Sequence, residues 1–422
     1  MKKILGQITH PWRVALFLFF AAALNYADRA ALSSVVPPIR TELGATDVQI
    51  GLMGLLFLWT YALCSPLAGN VADRFSRSRI VIWSITGWSL VTVFTGLAWS
   101  VHALFFMRVA LGVVESFYLP AAAALLSEYH GPATRGKAMG FHIMGLNLGV
   151  MLGGGLAGLL AEHFGWRFGF WALGGAGLLL AAVGPLVLNK KPEVTSATKP
   201  VVKVAGQAGK AWAYLLRLPS FHITLFSSMV AGVAGWIFLT WLPLFFNENY
   251  GMNLAAAGLT GVMLYKAPVF LGISVGGWLS DKFARRDTRN RVMIKALSYL
   301  LSGPFLFLMM GNPTFAVVAA SLIISSIIRA IGQAGEHAIV CDVVPTQYRS
   351  TAVGILNLSG SAAGGLGVFL TGVFKKDLGL SAIFGLSSFL YILAGLVLVL
   401  SYYVFVKKDV AKADAHEAAA AA

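Results

Sequence analysis

The sequence predicts an all-α membrane protein in which twelve transmembrane helices form two pseudo-symmetric six-helix bundles. Three observations predict it. The chain has more apolar residues than a soluble core of its size can hide. Twelve apolar stretches of spanning length carry their flanking Lys and Arg mainly on one side. A set of short motifs also repeats from the first half of the chain to the second.

Of 422 residues, 58% are hydrophobic and only 12% are charged, and mean hydropathy is +0.76. Soluble domains run at roughly 45–50% apolar and about 25% charged, so lipid must take the place of water around this chain. Cys64 and Cys341 lie in apolar stretches, which argues against a disulfide framework or a Cys-based metal site. There is no phosphate-cradling loop, nucleophile elbow or His/Cys metal spacing. Those absences weigh against an ATP-driven pump and an enzyme, and no cofactor or metal is expected.

The spans fall at about 14–36, 49–71, 80–98, 101–127, 137–160, 168–188, 218–246, 253–278, 291–310, 313–341, 350–374 and 380–406. Each holds roughly 17 or more mostly apolar residues, enough to cross a bilayer core. Of the 32 Lys and Arg, Arg40, Arg167, Lys375 and Lys376 lie in odd-numbered loops, and Arg29, Arg108, Lys266 and Arg329 lie inside spans. The remainder sit at the N-terminus, in or bordering the even-numbered loops, and at the C-terminus. This positive-inside asymmetry places both termini in the cytoplasm of a bacterial-type inner (plasma) membrane. The net charge of +15 is therefore a topology signal, and nucleic acid is not an expected partner. Met1-Lys2-Lys3 precedes an apolar run that is long for a secretory leader and carries Asp28 and Arg29, so it reads as a retained first helix.

The polar stretch 189–217 separates an N-terminal bundle, 1–188, from a C-terminal bundle, 218–406, as a cytoplasmic linker; 407–422 reads as a disordered tail. Internal repetition supports the halving. Gly69-Asn70-Val71-Ala72-Asp73-Arg74 follows span two, with Arg77 and Arg79 beyond it. Gly277-Trp278-Leu279-Ser280-Asp281-Lys282 follows span eight, with Arg285 and Arg286 beyond it. Arg108 and Glu115 stand seven apart in span four, as do Arg329 and Glu336 in span ten. Arg135 precedes Gly140 by five residues, and Arg349 precedes Gly354 by five.

The repeated Gly-x-x-x-Asp-Arg/Lys pattern resembles that of the major facilitator superfamily, and the resemblance covers essentially the whole chain. It implies two bundles around a central cavity that opens to alternate sides. Gly69, Asp73, Arg74, Gly277 and Asp281 are expected to form a breakable latch. Glycine lets helices approach, and Asp73 can sit against helix N-termini and neighbouring Arg side chains.

At least seven ionisable residues fall inside spans: Asp28, Arg29, Arg108, Glu115, Lys266, Arg329 and Glu336. Each costs about 2.5–3.5 kcal/mol on insertion scales, and such residues mark ion or substrate pathways. His142 and His337 add groups that titrate near neutrality. Arg108 and Glu115 are two turns apart and share a face, while adjacent Asp28 and Arg29 point about 100° apart. Nearby cations favour an ionised carboxylate and burial favours the neutral acid. A carboxylate between those influences can load and release a proton.

Asn25-Tyr26-Ala27-Asp28-Arg29 with Leu32-Ser33, and the Arg108/Glu115 pair, resemble the organic anion:cation symporters, which include hexuronate and aldonate importers. Tyr61, Gly112 and Gly165-Trp166-Arg167 add to the resemblance. It implies that Arg29 grips a substrate carboxylate with Arg108 nearby, that Tyr61 offers a hydroxyl, and that Asp28 and Glu115 couple protons. Spinster-like lysolipid transporters share the Asp-Arg and Arg/Glu pairs, and Tyr129-His130-Gly131-Pro132 also resembles them. Lys266 and the Glu336-His337 pair are foreign to the sugar-acid pattern.

Lys266, His142, Asn147, Asn357 and Ser361 are further substrate-binding candidates; the two Asn and the Ser equally suit interhelical hydrogen bonding. Arg329, Glu336 and His337 form a second charged cluster. Gly149, Gly153, Gly154 and Gly158, with Gly360 and Gly364, have the spacing of packing faces, and Trp83, Trp99, Trp166 and Trp212 that of interfacial anchors. The expectation is a monomeric proton-coupled symporter of a small organic anion, with lysolipid or another amphiphilic anion as the alternative.

Overall fold

The computed structural model describes residues 10–188 and 207–421, and these are helical almost throughout, with no strand among them. Residues 189–206, most of the expected linker, lie outside the described residues. Helix α1 (His10–Ser34) passes into the short α2 (Val36–Leu43), which ends on Gly44 at φ +65°. Thr46 then opens α3 (Asp47–Arg74) with a capping box: its hydroxyl accepts from Gln49 N–H while the Gln49 side chain accepts from Thr46 N–H. There follow α4 (Arg77–Thr95), α5 (Val101–Ser116), α6 (Tyr118–Tyr129), α7 (Pro132–Phe164) and α8 (Trp166–Leu188). The second half runs α9 (Gln207–Leu215), α10 (Pro219–Tyr250), α11 (Leu254–Ala284), α12 (Asn290–Phe307), α13 (Phe315–Gln333), α14 (Glu336–Val343), α15 (Arg349–Val404) and α16 (Val406–Ala421).

Nine stretches among the described residues are long and apolar enough to cross a membrane. The last of them, Thr351–Val404, is broken at Gly379, whose φ of 74° is non-helical, into two spans. Helices α4 and α12 have 19 and 18 residues and are more polar because Arg77, Arg79, Arg291 and Lys295 lie in their first two turns. With these two the expected twelve spans are accounted for. Large apolar side chains such as Phe106, Leu179 and Leu186 point outward while Asp28, Arg108, Glu115 and Lys295 are buried. That is the inverse of a water-soluble protein and the arrangement hydrocarbon solvent demands.

The described residues form two compact units, Met1–Val202 with Leu239–Val262, and Lys203–Phe238 with Met263–Ala422. In unit 1, α7 lies on α1 through glycines four residues apart. A Cβ added at Gly145, Gly149 or Gly153 would stand 2.5 Å from Phe19 O, 2.0 Å from Ala23 O and 2.4 Å from Ala27 Cα respectively. Gly158 faces a different neighbour, the 254–258 segment, where a Cβ would meet Leu254 O at 2.5 Å, and Gly154 lies between the two: a Cβ there would meet Ser34 Oγ of α1 at 2.8 Å and Gly258 O at 3.5 Å. Arg40 Nη1 pairs with Glu248 at 2.7 Å, and Glu162 accepts from Ala255 N–H at 3.0 Å. These small residues and polar ties hold 239–262 to unit 1, although it is sequence of the second half. In unit 2, a Cβ on Gly232 would stand 2.1 Å from Gly360 O, and one on Gly364 2.3 Å from Trp236.

Two expectations are corrected. Trp83, Trp99 and Trp212 are exposed as anchors are, but Trp166 is buried and its Nε1–H donates to Glu42 Oε2 at 2.7 Å. Arg167 also pairs with Glu42 and donates to Ala98 O at 3.0 Å. The tail, expected to be disordered, is helical as α16 over Val406–Ala421. Alanine is the strongest helix former, and buried Asp409 anchors the helix by accepting from Ser220 N–H and Ser220 Oγ–H at 3.1 and 2.7 Å, which caps α10.

Gly149→Ala is expected to lower the melting temperature of the detergent-solubilised protein, because its methyl meets backbone. Gly175→Ala, where a Cβ meets nothing within 4 Å, should leave it unchanged or slightly higher. The Trp166 and Arg167 donors hold the Glu42 carboxyl below its ordinary value of 4.5. A depressed carboxyl stabilises fully above its unfolded value and loses that contribution as pH falls through its lower folded value. Thermal melts from neutral pH to below pH 4 should therefore show an acid-dependent component that Glu42→Gln removes.

Candidate functional site

Unit 1 gathers four of the intramembrane charges into one cluster. Glycine at position 112 lets α3 and α5 come together: a Cβ there would stand 2.7 Å from Phe57 O and 3.0 Å from Tyr61 N. The α1–α7 glycine face fixes the other wall and with it Asp28 and Arg29. Arg29 Nε donates to Glu115 Oε2 at 2.7 Å, with both side chains almost wholly buried. The Arg29 guanidinium lies over the rings of Tyr26, Tyr61 and Phe57 at 4.5, 4.7 and 5.1 Å. An aromatic cage of this kind attracts a desolvated cation through the ring quadrupoles.

Asp28 is buried on the adjacent face. Its Oδ2 accepts from Thr92 Oγ1 at 2.9 Å, while Oδ1 has no hydrogen-bond partner. Among the described residues no cation forms an ion pair with it. Arg108, also buried, sits within electrostatic reach of both Glu115 and Asp28, and its Nε is unbonded. Asn25 flanks Glu115 within hydrogen-bonding reach. Two cations and two carboxylates thus share one buried locus with open hydrogen-bonding positions. Native interiors rarely leave buried polar groups unpaired, and such open positions suit a ligand or water.

The remaining candidates divide. His142 is bonded to Tyr118 Oη at 3.0 Å, and that hydroxyl donates to Leu18 O at 2.9 Å, so the ring is engaged in packing α7 against α6 and α1. Asn147 donates to Ile143 O of its own helix at 3.0 Å. In unit 2, Asn357 is exposed and Ser361 half-buried, Lys266 Nζ lies 5.5 Å from the Tyr265 ring, and His337 is exposed.

The second repeat does not copy the first. Arg329 and Glu336 keep the seven-residue spacing, but α13 ends at Gln333 and Glu336 opens α14 after a break. Glu336 pairs with Lys295 at 3.2 Å, and Arg329 Nη1 donates to Gln333 at 3.0 Å. On the sequence reading Lys295 is counted with the basic residues bordering the loop before span nine, although its position falls within 291–310. The structure buries it completely in α12. Its position one turn inside an apolar run was the available signal.

Of the expected latch, Gly69, Asp73 and Arg74 lie outside the residues whose side chains are described. In the second repeat, Asp281 is 77% exposed and lies 3.8 Å from Arg291, which binds Asp342 more closely at 2.7 Å. A Cβ on Gly277 would meet nothing within 4 Å, so that glycine supports no close helix approach. In the first repeat Arg77 pairs with Glu128, the same tie from the start of one helix to the end of another two helices on.

Removing one partner of a buried pair strands the other charge. Glu115→Gln is therefore expected to destabilise the protein by about 3–5 kcal/mol in chemical denaturation. The Arg29→Gln/Glu115→Gln double variant should lose less than the sum of the two single losses. Simple additivity would show that the two groups do not act on each other.

Comparison with known proteins places this cluster in context. The model of the Major Facilitator Superfamily matches residues 18–296 and 288–421. The chain is 27% identical over 406 residues to the probable chloroplastic anion transporter 4 of Oryza sativa subsp. japonica, covering 93% of this chain and 68% of that one. It is 29% identical over 371 residues to an MFS-type efflux pump of Mycolicibacterium smegmatis, covering 87% and 85%. It is 25% identical over 394 residues to the hexuronate transporter of Bacillus subtilis, covering 92% and 93%. Among solved structures, a bacterial homologue of the human lysosomal transporter Spinster matches with a TM-score of 0.80 and 23% identity, over 93% of this chain and 97% of that one, a likeness of fold. By its helices, its repeated motifs and the family match along nearly its whole length, the chain belongs to the major facilitator superfamily and is a multi-pass membrane transporter, not an enzyme.

Proposed function

We propose that the protein is a proton-coupled symporter of a small organic anion, a sugar acid such as a hexuronate or aldonate, working by alternating access. The observation that carries this reading is the charge balance at Asp28, Arg29, Arg108 and Glu115. With both carboxylates ionised the two cations are cancelled; one proton leaves the locus with a net positive charge that suits a single carboxylate. Asp28, with an unbonded Oδ1 and no ion-pair partner, takes and releases that proton. Glu115 holds Arg29 until a proton weakens the pair, and the substrate carboxylate then replaces it on the guanidinium. Tyr61 and Asn25 offer hydrogen bonds beside it, and Arg108 supports the charge. A carboxylate matches the Arg fork geometrically.

The Lys and Arg distribution supports cytoplasmic termini, and we read the protein as a monomer that imports its substrate through a bacterial-type inner membrane. The Asp281–Arg291–Asp342 and Arg77–Glu128 ties serve as breakable links at the ends of the spans. The names of the rice and Bacillus subtilis relatives support an anionic substrate. An amphiphilic anion such as a lysolipid is the competing reading, favoured by the Tyr129-His130-Gly131-Pro132 segment.

The test is uptake into proteoliposomes under an inward proton gradient, with hexuronates, aldonates and lysolipids as substrates. Arg29→Gln should abolish substrate binding. Asp28→Asn and Glu115→Gln should block pH-driven accumulation and leave counterflow at least partly intact. Proton-driven accumulation retained in both carboxylate variants would overturn the coupling assignment, and transport of lysolipid alone would decide for the competing substrate.

A further inference from the structure

We propose that unit 2 contains an oxyanion-binding locus of its own, formed by Lys266 and Arg329 with the hydroxyls of Tyr265 and Tyr391, which takes a doubly charged group. Lys266 and Tyr265 lie on α11, Arg329 on α13 and Tyr391 on α15. The Arg329 guanidinium sits 5.0 Å from the centre of the Tyr265 ring, and Lys266 Nζ sits 5.5 Å from the same ring, so both cations border one aromatic side chain. Arg329 is also within electrostatic reach of Tyr391 and Tyr299.

Among the described residues no carboxylate forms an ion pair with Lys266 or Arg329. The acid that the repeat pattern offers to Arg329, Glu336, is held instead by Lys295. The protein partner of Arg329 is the neutral Gln333 amide. Two hydroxyls at this place are wholly unpaired: Tyr265 Oη and Tyr391 Oη are buried and bond to nothing, whereas Tyr299 Oη reaches Ser227 O at 3.5 Å. Phe238 stacks on Tyr265 at 5.0 Å and on Phe384 at 4.7 Å, and Tyr391 packs edge-on to Tyr299 at 5.1 Å.

The tyrosines are therefore fixed by packing, and their unpaired hydroxyls are ready donors. Two uncompensated cations in a low-dielectric setting call for two negative charges. A guanidinium fork, an ammonium point charge and two O–H donors together suit the oxygens of a dianion. A monoanion would leave one cation stranded. The Arg29 cluster of unit 1 differs in that carboxylates already balance its cations.

The experiment is ligand-induced thermal stabilisation of the full chain in detergent at matched ionic strength. The probes are inorganic phosphate, malonate and, as the monoanion, acetate, with phosphatidic acid in mixed micelles as the lipid arm. Phosphate and malonate should stabilise and acetate should not. Stabilisation by phosphatidic acid alone would place the dianion on a lipid headgroup, and either result supports the locus. Lys266→Gln and Arg329→Gln should each weaken dianion binding by at least about tenfold. Tyr265→Phe and Tyr391→Phe preserve the packing and should weaken it by about two- to fivefold, which keeps the test available if a cation variant fails to fold. Arg29→Gln should leave dianion stabilisation intact, so failure of the symport reading and failure of this locus are distinguishable. Equal stabilisation by acetate, or dianion binding unchanged in both cation variants, would overturn the proposal.

Discussion

The buried pair between Arg29 and Glu115 is the interaction on which the rest of unit 1 depends. A lone charge in a hydrocarbon setting costs several kcal/mol, so either group alone would work against folding. Together, with Arg29 enclosed by Tyr26, Phe57 and Tyr61, they can be kept. The pair ties α1 to α5, and Asp28 to Thr92 ties α1 to α4. Polar contacts thereby connect helices whose outer faces differ little from lipid in polarity. Hydrophobic burial cannot hold such helices to each other as it holds a soluble core.

What permits the pair is the scarcity of side chains elsewhere. Glycines at 145, 149 and 153 bring α7 to van der Waals contact with the backbone of α1, and Gly112 does the same for α3 and α5. These close approaches position residues 25–29 against 108–115. A methyl group at Gly149 would overlap Ala23 O, and α7 and α1 would have to separate or shift. Packing and electrostatics are therefore one constraint in this unit.

The two repeats have diverged in how they balance charge. Unit 1 sets two carboxylates against two guanidinium groups. Unit 2 spends its one comparable carboxylate, Glu336, on Lys295 and leaves Arg329 with an amide and an aromatic ring. Helix α13 ends at Gln333 and Glu336 opens α14, where Lys295 of α12 pairs with it. A shared spacing of seven residues guarantees a shared face only while the helix between them is continuous.

The sequence by itself determined the solvent, the helix count, the family and the identity of the stranded charges in α1 and α5. Hydropathy runs, the bias of Lys and Arg and the repeated Gly-x-x-x-Asp pattern are local properties of the chain, and bilayer thickness converts them directly into spans. It also marked Gly149, Gly153, Gly154 and Gly158 as packing positions. Only the tertiary structure decided their neighbours: α1 for Gly149 and Gly153, residues 254–258 for Gly158, and both for Gly154. It also decided that Trp166 is buried against Glu42, that His142 is bound to Tyr118, and that Lys295 is a core residue paired with Glu336. Those outcomes depend on which helices lie side by side and where helices break, and a one-dimensional pattern of polarity does not encode the partner a buried charge will find.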